Sequence, residues 1–310
     1  MTFPVSGTVL DPTLLILVGF VVGVLGGFFG VGGSFIAGPA LYAMGVPMNF
    51  VVGTDLSHIV GKSIVAARKH RALGNIDMKL GMLMVIGTIV GVESGAQLIQ
   101  ALKKKAEVDL VVGGAFGVVL IGISIFMAWE SIQTFRLQKR AGKRRLAPGE
   151  HISHADFSAF ANIARAIRRV KIPPCVRLPV SGIESISIWV ILGVSFIGGF
   201  FSGFLGGGAG YIRMPCLVYL LGIPTHIAVG TDLFEIIISA GYGTISHALK
   251  GNVDILIALV MHTGAAIGAQ IGATCTQYFG GPKLRMAFVP LPIIGALLLL
   301  RGLLASHAFK

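Results

Sequence analysis

A chain of 310 residues in which 54% are hydrophobic and 12% charged, with mean hydropathy +0.85, has more apolar surface than one soluble core can bury; this excludes a soluble globular protein and indicates a polytopic membrane protein. The formal charge of +12 does not point to a nucleic-acid partner, because eleven Lys and Arg fall in 136–177 against only Glu150 and Asp156, as the positive-inside rule expects of a loop. Cys175, Cys216 and Cys275 match no metal spacing and read as structural thiols, so no cofactor is expected.

In chain order, apolar stretches run over roughly 12–45, 50–67, 78–101 and 108–135, and again over 186–222, 226–246, 254–279 and 284–305. No Lys or Arg precedes Lys62, so the first stretch lacks the charged start of a cleavable signal and is expected to stay in the protein. About 20 residues cross the hydrocarbon, so 12–45 and 186–222 are too long for one helix and short for two. Each has a glycine cluster near its middle, Gly26 to Gly33 and Gly203 to Gly210, and each reads as a broken helical hairpin, either re-entrant or two short spans. The two sets are copies 176 to 177 residues apart: Pro39 falls on Pro215, Pro47 on Pro224, Gly53-Thr54-Asp55 on Gly230-Thr231-Asp232, and Gly87, Gly91 and Gly95 on Gly264, Gly268 and Gly272.

The predicted fold is therefore an all-α polytopic membrane protein of two inverted-topology repeats, each a glycine-broken helical hairpin plus three transmembrane helices. Repeat 1 covers 1–135, a basic cytoplasmic connection 136–185, and repeat 2 186–310. Arg68, Lys69, Arg71 and Lys79 put the 68–79 linker and the 136–177 connection on the cytoplasmic side, with both termini outside; Lys103, Lys104 and Lys105 then lie on the wrong side. Within the connection, Phe157, Phe160, Ala164 and Ile167 recur at helical spacing beside Arg165, Arg168 and Arg169, which reads either as an interfacial helix or as a loop with a helical turn.

Ionisable side chains within a bilayer cost about 2.5–3.5 kcal/mol each, so those that remain usually face a cavity. Asp55, His58 and Lys62 are spaced i, i+3, i+7 and share one helical face; Asp232, Glu235 and Ser239 take the same places in the second copy. Asp55 and Asp232 read equally well as helix caps after Gly-Thr. Lys62 reads as a functional cation, the alternative being a salt bridge with Asp55 or Glu93. Arg213 offers a planar guanidinium suited to an oxyanion, the alternative being a snorkelling arginine. Where a helix restarts, bare amides hold an anion, which nominates Gly32, Gly33 and Ser34 and Gly208, Ala209 and Gly210. The plainer reading of these glycines is tight helix packing. Thr54 and Thr231 complete the candidate substrate set, and Asp55, His58, Glu93, Asp232 and Glu235 the candidate coupling or gating set. His262 stands alone and reads as a packing residue. No HExxH, GxSxG, P-loop or paired CxxC is present, so an enzyme is not expected.

The segment GFFGVGG…VVGTDLSHIVGKSIVAARKHRALGNIDMKLG with its echo GFLGGG…AVGTDLFEIIISAGYGTISHALKGNVD resembles the TauE/SafE family over about 20–130 and 190–303. The resemblance implies a secondary carrier of sulfite, sulfoacetate or a related small sulfur oxyanion, commonly an exporter, built from two inverted repeats in the cell membrane. Two features depart from the family: its usual G-T-S is G-T-D here, at Asp55 and Asp232, and the basic connection is long. The rival expectations are a proton- or sodium-coupled carrier of a carboxylate or metal cation, and a non-transporting scaffold that uses 136–177. The glycine face of Gly87, Gly91 and Gly95 makes a homodimer reasonable.

Overall fold

A computed structural model of the protein describes residues 1–104, 108–141, 161–169 and 172–308. A short β-hairpin, β1 (Thr2–Phe3) and β2 (Thr8–Val9), precedes α1 (Pro12–Phe29), α2 (Ser34–Ala43), α3 (Met48–Ala72), α4 (Met78–Lys103) and α5 (Val108–Ala141). After α6 (Ala161–Arg169), a second hairpin of β3 (Cys175–Leu178) and β4 (Ile183–Ser187) opens the same series again: α7 (Ile188–Leu205), α8 (Gly210–Pro215) running into a π-helical turn at Cys216–Leu220, α9 (Thr225–Leu249), α10 (Ile255–Cys275), α11 (Gly281–Phe288) and α12 (Pro290–Ala308). Among the described residues seven helical segments are long and apolar enough to cross a membrane: α1, α3, α4, α5, α7, Ile255–Tyr278 and Met286–Leu304. α9 equals α3 in length but carries Asp232 and Glu235 and falls short on hydropathy.

In both broken segments only the first limb is long enough to cross a membrane. α1 and α7 have 18 residues, whereas the returning limbs have 10 in α2 and 11 across Gly210–Leu220, about 15 Å, half a bilayer core. The breaks need glycine: Gly30, Gly32 and Gly33 have φ of 73, 70 and 75°, and Gly206, Gly207 and Gly208 have 86, 78 and 71°. The β3–β4 hairpin is the second copy of β1–β2, so the boundary expected at 185/186 cuts through β4. The last stretch, expected at 284–305 as one helix, starts at Gly281 and is interrupted before Pro290, whose nitrogen cannot donate.

The halves interlock. α1 lies parallel to α10: a Cβ on Gly19, Gly23 or Gly27 would strike the backbone of Met261, Ala265 or Ala269, and one on Gly264, Gly268 or Gly272 the backbone of Ile16, Phe20 or Val24. α4 lies parallel to α7 in the same way, Gly87, Gly91 and Gly95 against Leu192, Phe196 and Phe200. These glycine faces are thus consumed within one chain, and the case they made for a homodimer does not hold. α3 and α9 are antiparallel, since Gly53 abuts the Asn252 carbonyl and Gly230 the Asn75 carbonyl. The opposite face of α4, with Met82, Ile86 and Val90, is exposed and apolar, as lipid requires.

Matching hydrogen bonds tie one half to the other. Asp77 and Asp254 cap α4 and α10. The amide of Asp254 donates to Thr54 Oγ1 and that of Asp77 to Thr231 Oγ1, both at 2.9 Å. Ser6 Oγ donates to Asp254 Oδ2 at 2.8 Å and Ser181 Oγ to Asp77 Oδ2 at 2.7 Å. Within each half a matching pair recurs: His70 Nε2 lies 3.1 Å from the Gly27 carbonyl, and His247 Nε2 lies 3.0 Å from that of Gly203. Lys79 Nζ donates to the Arg177 carbonyl, so the 68–79 linker and the end of the basic connection share a face. Lys103 donates to Asn252 Oδ1 at 3.0 Å on the face that holds the N-terminal hairpin. The helix in the connection begins at Ala161; Phe157 and Phe160 lie outside the described residues. It is docked rather than free on a surface: Ala164 is buried, and Arg168 donates from Nε and Nη2 to the carbonyls of Leu221 and Gly222, capping the end of the second hairpin.

Candidate functional site

The two glycine breaks meet inside the protein. Ser34 Oγ, at the restart of the first hairpin, donates to the Gly207 carbonyl in the second at 2.8 Å, and a Cβ on Gly32 would lie 3.4 Å from that carbonyl oxygen. On one side of this contact stands Asp55, whose Oδ2 is 3.1 Å from where a Gly207 Cβ would sit; on the other stands Asp232, whose Oδ2 is 2.8 Å from the corresponding point on Gly210. Gly33 caps α2, Gly208 packs on Ile236, and Ala209 lies in the turn leading into α8.

Asp55 and Asp232 both sit two turns inside their helices, α3 and α9, whose caps are Pro47 and Pro224. The expected alternative of helix capping is thereby corrected: a residue so far from the helix start has no free amides to accept from.

Two buried ionic clusters flank the tips. On α3, Lys62 Nζ is 3.2 Å from His58 Nδ1, which is 3.6 Å from Asp55 Oδ1. On the other side, Arg213 of α8 pairs through Nε with Asp232 Oδ1 and through Nη1 with Glu235 Oε2 at 2.5 Å, with all three side chains fully buried. Arg213 does not snorkel. Ser239 donates to Glu235 Oε2 at 3.2 Å. Several polar atoms here have no hydrogen-bond partner among the described residues: His58 Nε2, Tyr211 OH, Arg213 Nη2, Asp55 Oδ1, Asp232 Oδ2 and Glu235 Oε1. Donors and acceptors left over around a glycine-lined contact equip it to bind and release a small polar ion.

Not every expected residue converges. The hydroxyls of Thr54 and Thr231 are taken by the backbone of the opposite half. Glu93 is a third exposed and accepts from Gln97, Tyr242, Ser246 and Lys250, forming a strut between α4 and α9 rather than a partner of Lys62. The oxygen-rich cation site drawn from Asp55, His58, Glu93, Asp232 and Glu235 is not assembled; among the described residues no group of three His, Cys, Asp or Glu is placed to hold a metal. Tyr211 escaped sequence reasoning. It is buried one residue after Gly210, stacks on Phe116 with centroids 5.8 Å apart, and has a buried hydroxyl without a hydrogen-bond partner among the described residues; a tyrosine closing a glycine run was its signal.

Buried charge between two glycine-broken hairpins, within a frame of membrane-length helices, fits a multi-pass membrane transporter rather than an enzyme, and the named relatives are described in the same terms. The chain belongs to the sulfite exporter TauE/SafE family, which it matches over residues 15–299. It is 24% identical to the probable membrane transporter protein YunE of Bacillus subtilis, with 94% of this chain and 98% of that protein covered. The corresponding figures are 27%, 93% and 99% for YdhB of the same organism, and 29%, 64% and 74% for the probable membrane transporter protein MJ0441 of Methanocaldococcus jannaschii. No solved structure matches the chain.

Proposed function

We propose that the protein is a secondary carrier of a small sulfur oxyanion such as sulfite or sulfoacetate, exporting it across the cell membrane by alternating access. The observation that carries this reading is the contact of the two hairpin tips, Ser34 on Gly207, between Lys62 with its neighbours and Arg213 with its neighbours. The anion is held by Lys62, the free face of Arg213, and the amides and hydroxyl around Gly32, Gly33, Ser34, Gly208, Ala209 and Gly210. Tyr211 adds a donor, while Thr54 and Thr231 latch the halves together. The antiparallel α3 and α9 and the exchanged hydrogen bonds support two halves of opposite orientation, which rock about the tips.

Charge balance supports a proton or cation partner. Lys62 and Arg213 face Asp55, Asp232 and Glu235, two positive groups against three carboxylates, so an anion entering the ionised cluster adds to an existing negative surplus. Asp55, His58, Asp232 and Glu235 are the groups that take up a proton as the anion binds. An inside-negative potential favours exit by about 2.3 kcal/mol per net negative charge per 100 mV, and a dianion carried with one proton keeps one such charge, so its export runs without an imposed ion gradient.

Flux of sulfite and of sulfoacetate from proteoliposomes under a set voltage tests the reading. Efflux is expected to rise with a negative interior and to fall to the protein-free rate in Lys62→Gln, with that variant still eluting as folded protein. Unchanged flux in Lys62→Gln removes Lys62 from the site, and no flux of either solute in the wild-type protein refutes the oxyanion assignment.

A further inference from the structure

An open groove of about 310 Å³ lies between α3, α9 and α10, outside the cluster just described, its wall combining Ser57, Gly61, Thr244 and His262 with apolar Val60, Ala258 and the exposed Leu259. Its lining from α9 and α10, at 241–244 and 258–262, lies within about three turns of Asn252, so the groove belongs to the half of the protein facing the N-terminal hairpin. The imidazole of His262 packs where a Cβ on Gly61 would be. Only that turn of α3 separates the groove from Lys62.

The internal repeat supplies a comparison. At a spacing of 177 residues the counterparts of Ser57, Gly61, Thr244 and His262 are Phe234, Ile238, Ala67 and Val85. There the Phe234 ring lies against Gly81, its Cδ1 2.6 Å from where a Cβ would stand, so the corresponding groove between α9, α3 and α4 is occupied by an aromatic side chain. One groove carries Ser57, Thr244 and His262 among apolar residues, and its twin has apolar side chains at all three places. Packing alone gives no reason for a histidine and two hydroxyls to replace valine, phenylalanine and alanine in a membrane.

We propose that the α3–α9–α10 groove is the aqueous passage between Lys62 and the face carrying Asn252, with His262 a contact residue for a small oxyanion on its way through, and that Phe234 seals the equivalent passage towards the other face. The identity of the solute rests on the function proposed above; the passage does not.

Two measurements test it. A membrane-impermeant maleimide added from the Asn252 face, with modification read at each residue by mass spectrometry, is expected to label Ser57→Cys at least about tenfold faster than Phe234→Cys, because a thiolate forms in water and not in lipid. Equal labelling, or none at Ser57→Cys, overturns the passage. Ser57→Phe, which copies the twin groove, and His262→Val are each expected to slow sulfite and sulfoacetate flux at least about tenfold against wild type; wild-type flux in both overturns it. If Ser57→Cys labels but the wild-type protein carries neither solute, the passage stands and the oxyanion assignment fails.

Discussion

Arg213→Met is expected to abolish the folded protein, not merely its transport. The guanidinium is fully buried and is the shared partner of Asp232 and Glu235, one carboxylate on Nε and the other on Nη1. Methionine fills similar volume but leaves two carboxylates in a dry interior, and removing one partner of a buried pair costs about 3–5 kcal/mol. That is a large share of the roughly 5–15 kcal/mol that holds a typical protein folded. Size-exclusion profiles and thermal melts in detergent should show aggregated or strongly destabilised material. Arg213→Lys should fall between, since an ammonium on a flexible stem cannot reproduce a fork with one carboxylate on each prong. The triple variant Arg213→Met, Asp232→Asn, Glu235→Gln removes all three charges and is expected to recover the melt without recovering flux. A wild-type melt for Arg213→Met alone would refute the ion-pair arrangement.

Gly203→Leu is expected to have a comparable effect for a wholly steric reason. A Cβ at this position would fall on the backbone of Val92, and a backbone cannot rotate away as a side chain can. α7 and α4 would have to separate, losing the run of contacts from Leu192 to Phe204 and the approach of His247 to the Gly203 carbonyl. Overpacking costs about 1–3 kcal/mol where neighbours adjust and more where they cannot. The control lies on the same helix: Gly193 has nothing within 4 Å, so Gly193→Leu should melt with the wild-type protein. Equal melts for the two leucine variants would show that α4 and α7 do not pack through this face.

Much of the architecture was legible because the repeated glycines and prolines of this chain mark helix breaks and close helix contacts. Pro39 and Pro215 lie in the returning limbs, and the glycine clusters became the two breaks. The spacing of Gly87, Gly91 and Gly95 announced a helix contact but not which helix, and the partner proved to be α7, about a hundred residues on. At the site, the residue types were visible and their pairing was not. A buried threonine suits a ligand or an amide equally, and nothing near Thr54 in the sequence reveals that the Asp254 amide occupies it. Glu93 lies on a helix that also lines the core, but on its outward side, where Lys250 reaches it. Arg213 read as a lone cation because its two partners lie 19 and 22 residues away, across a turn and into the next helix.

The exchange of partners between the halves bears on how the chain is made. When translation has reached residue 141, α1 lacks α10 and α4 lacks α7, so two glycine-lined grooves face lipid and the Asp77 amide and the Thr54 hydroxyl lack their partners. The early helices are inserted and then wait. Native packing becomes available only as the closing segments leave the ribosome, which makes release of the C-terminal helices, rather than entry of the N-terminal ones, the step that commits the nascent transporter to its final form.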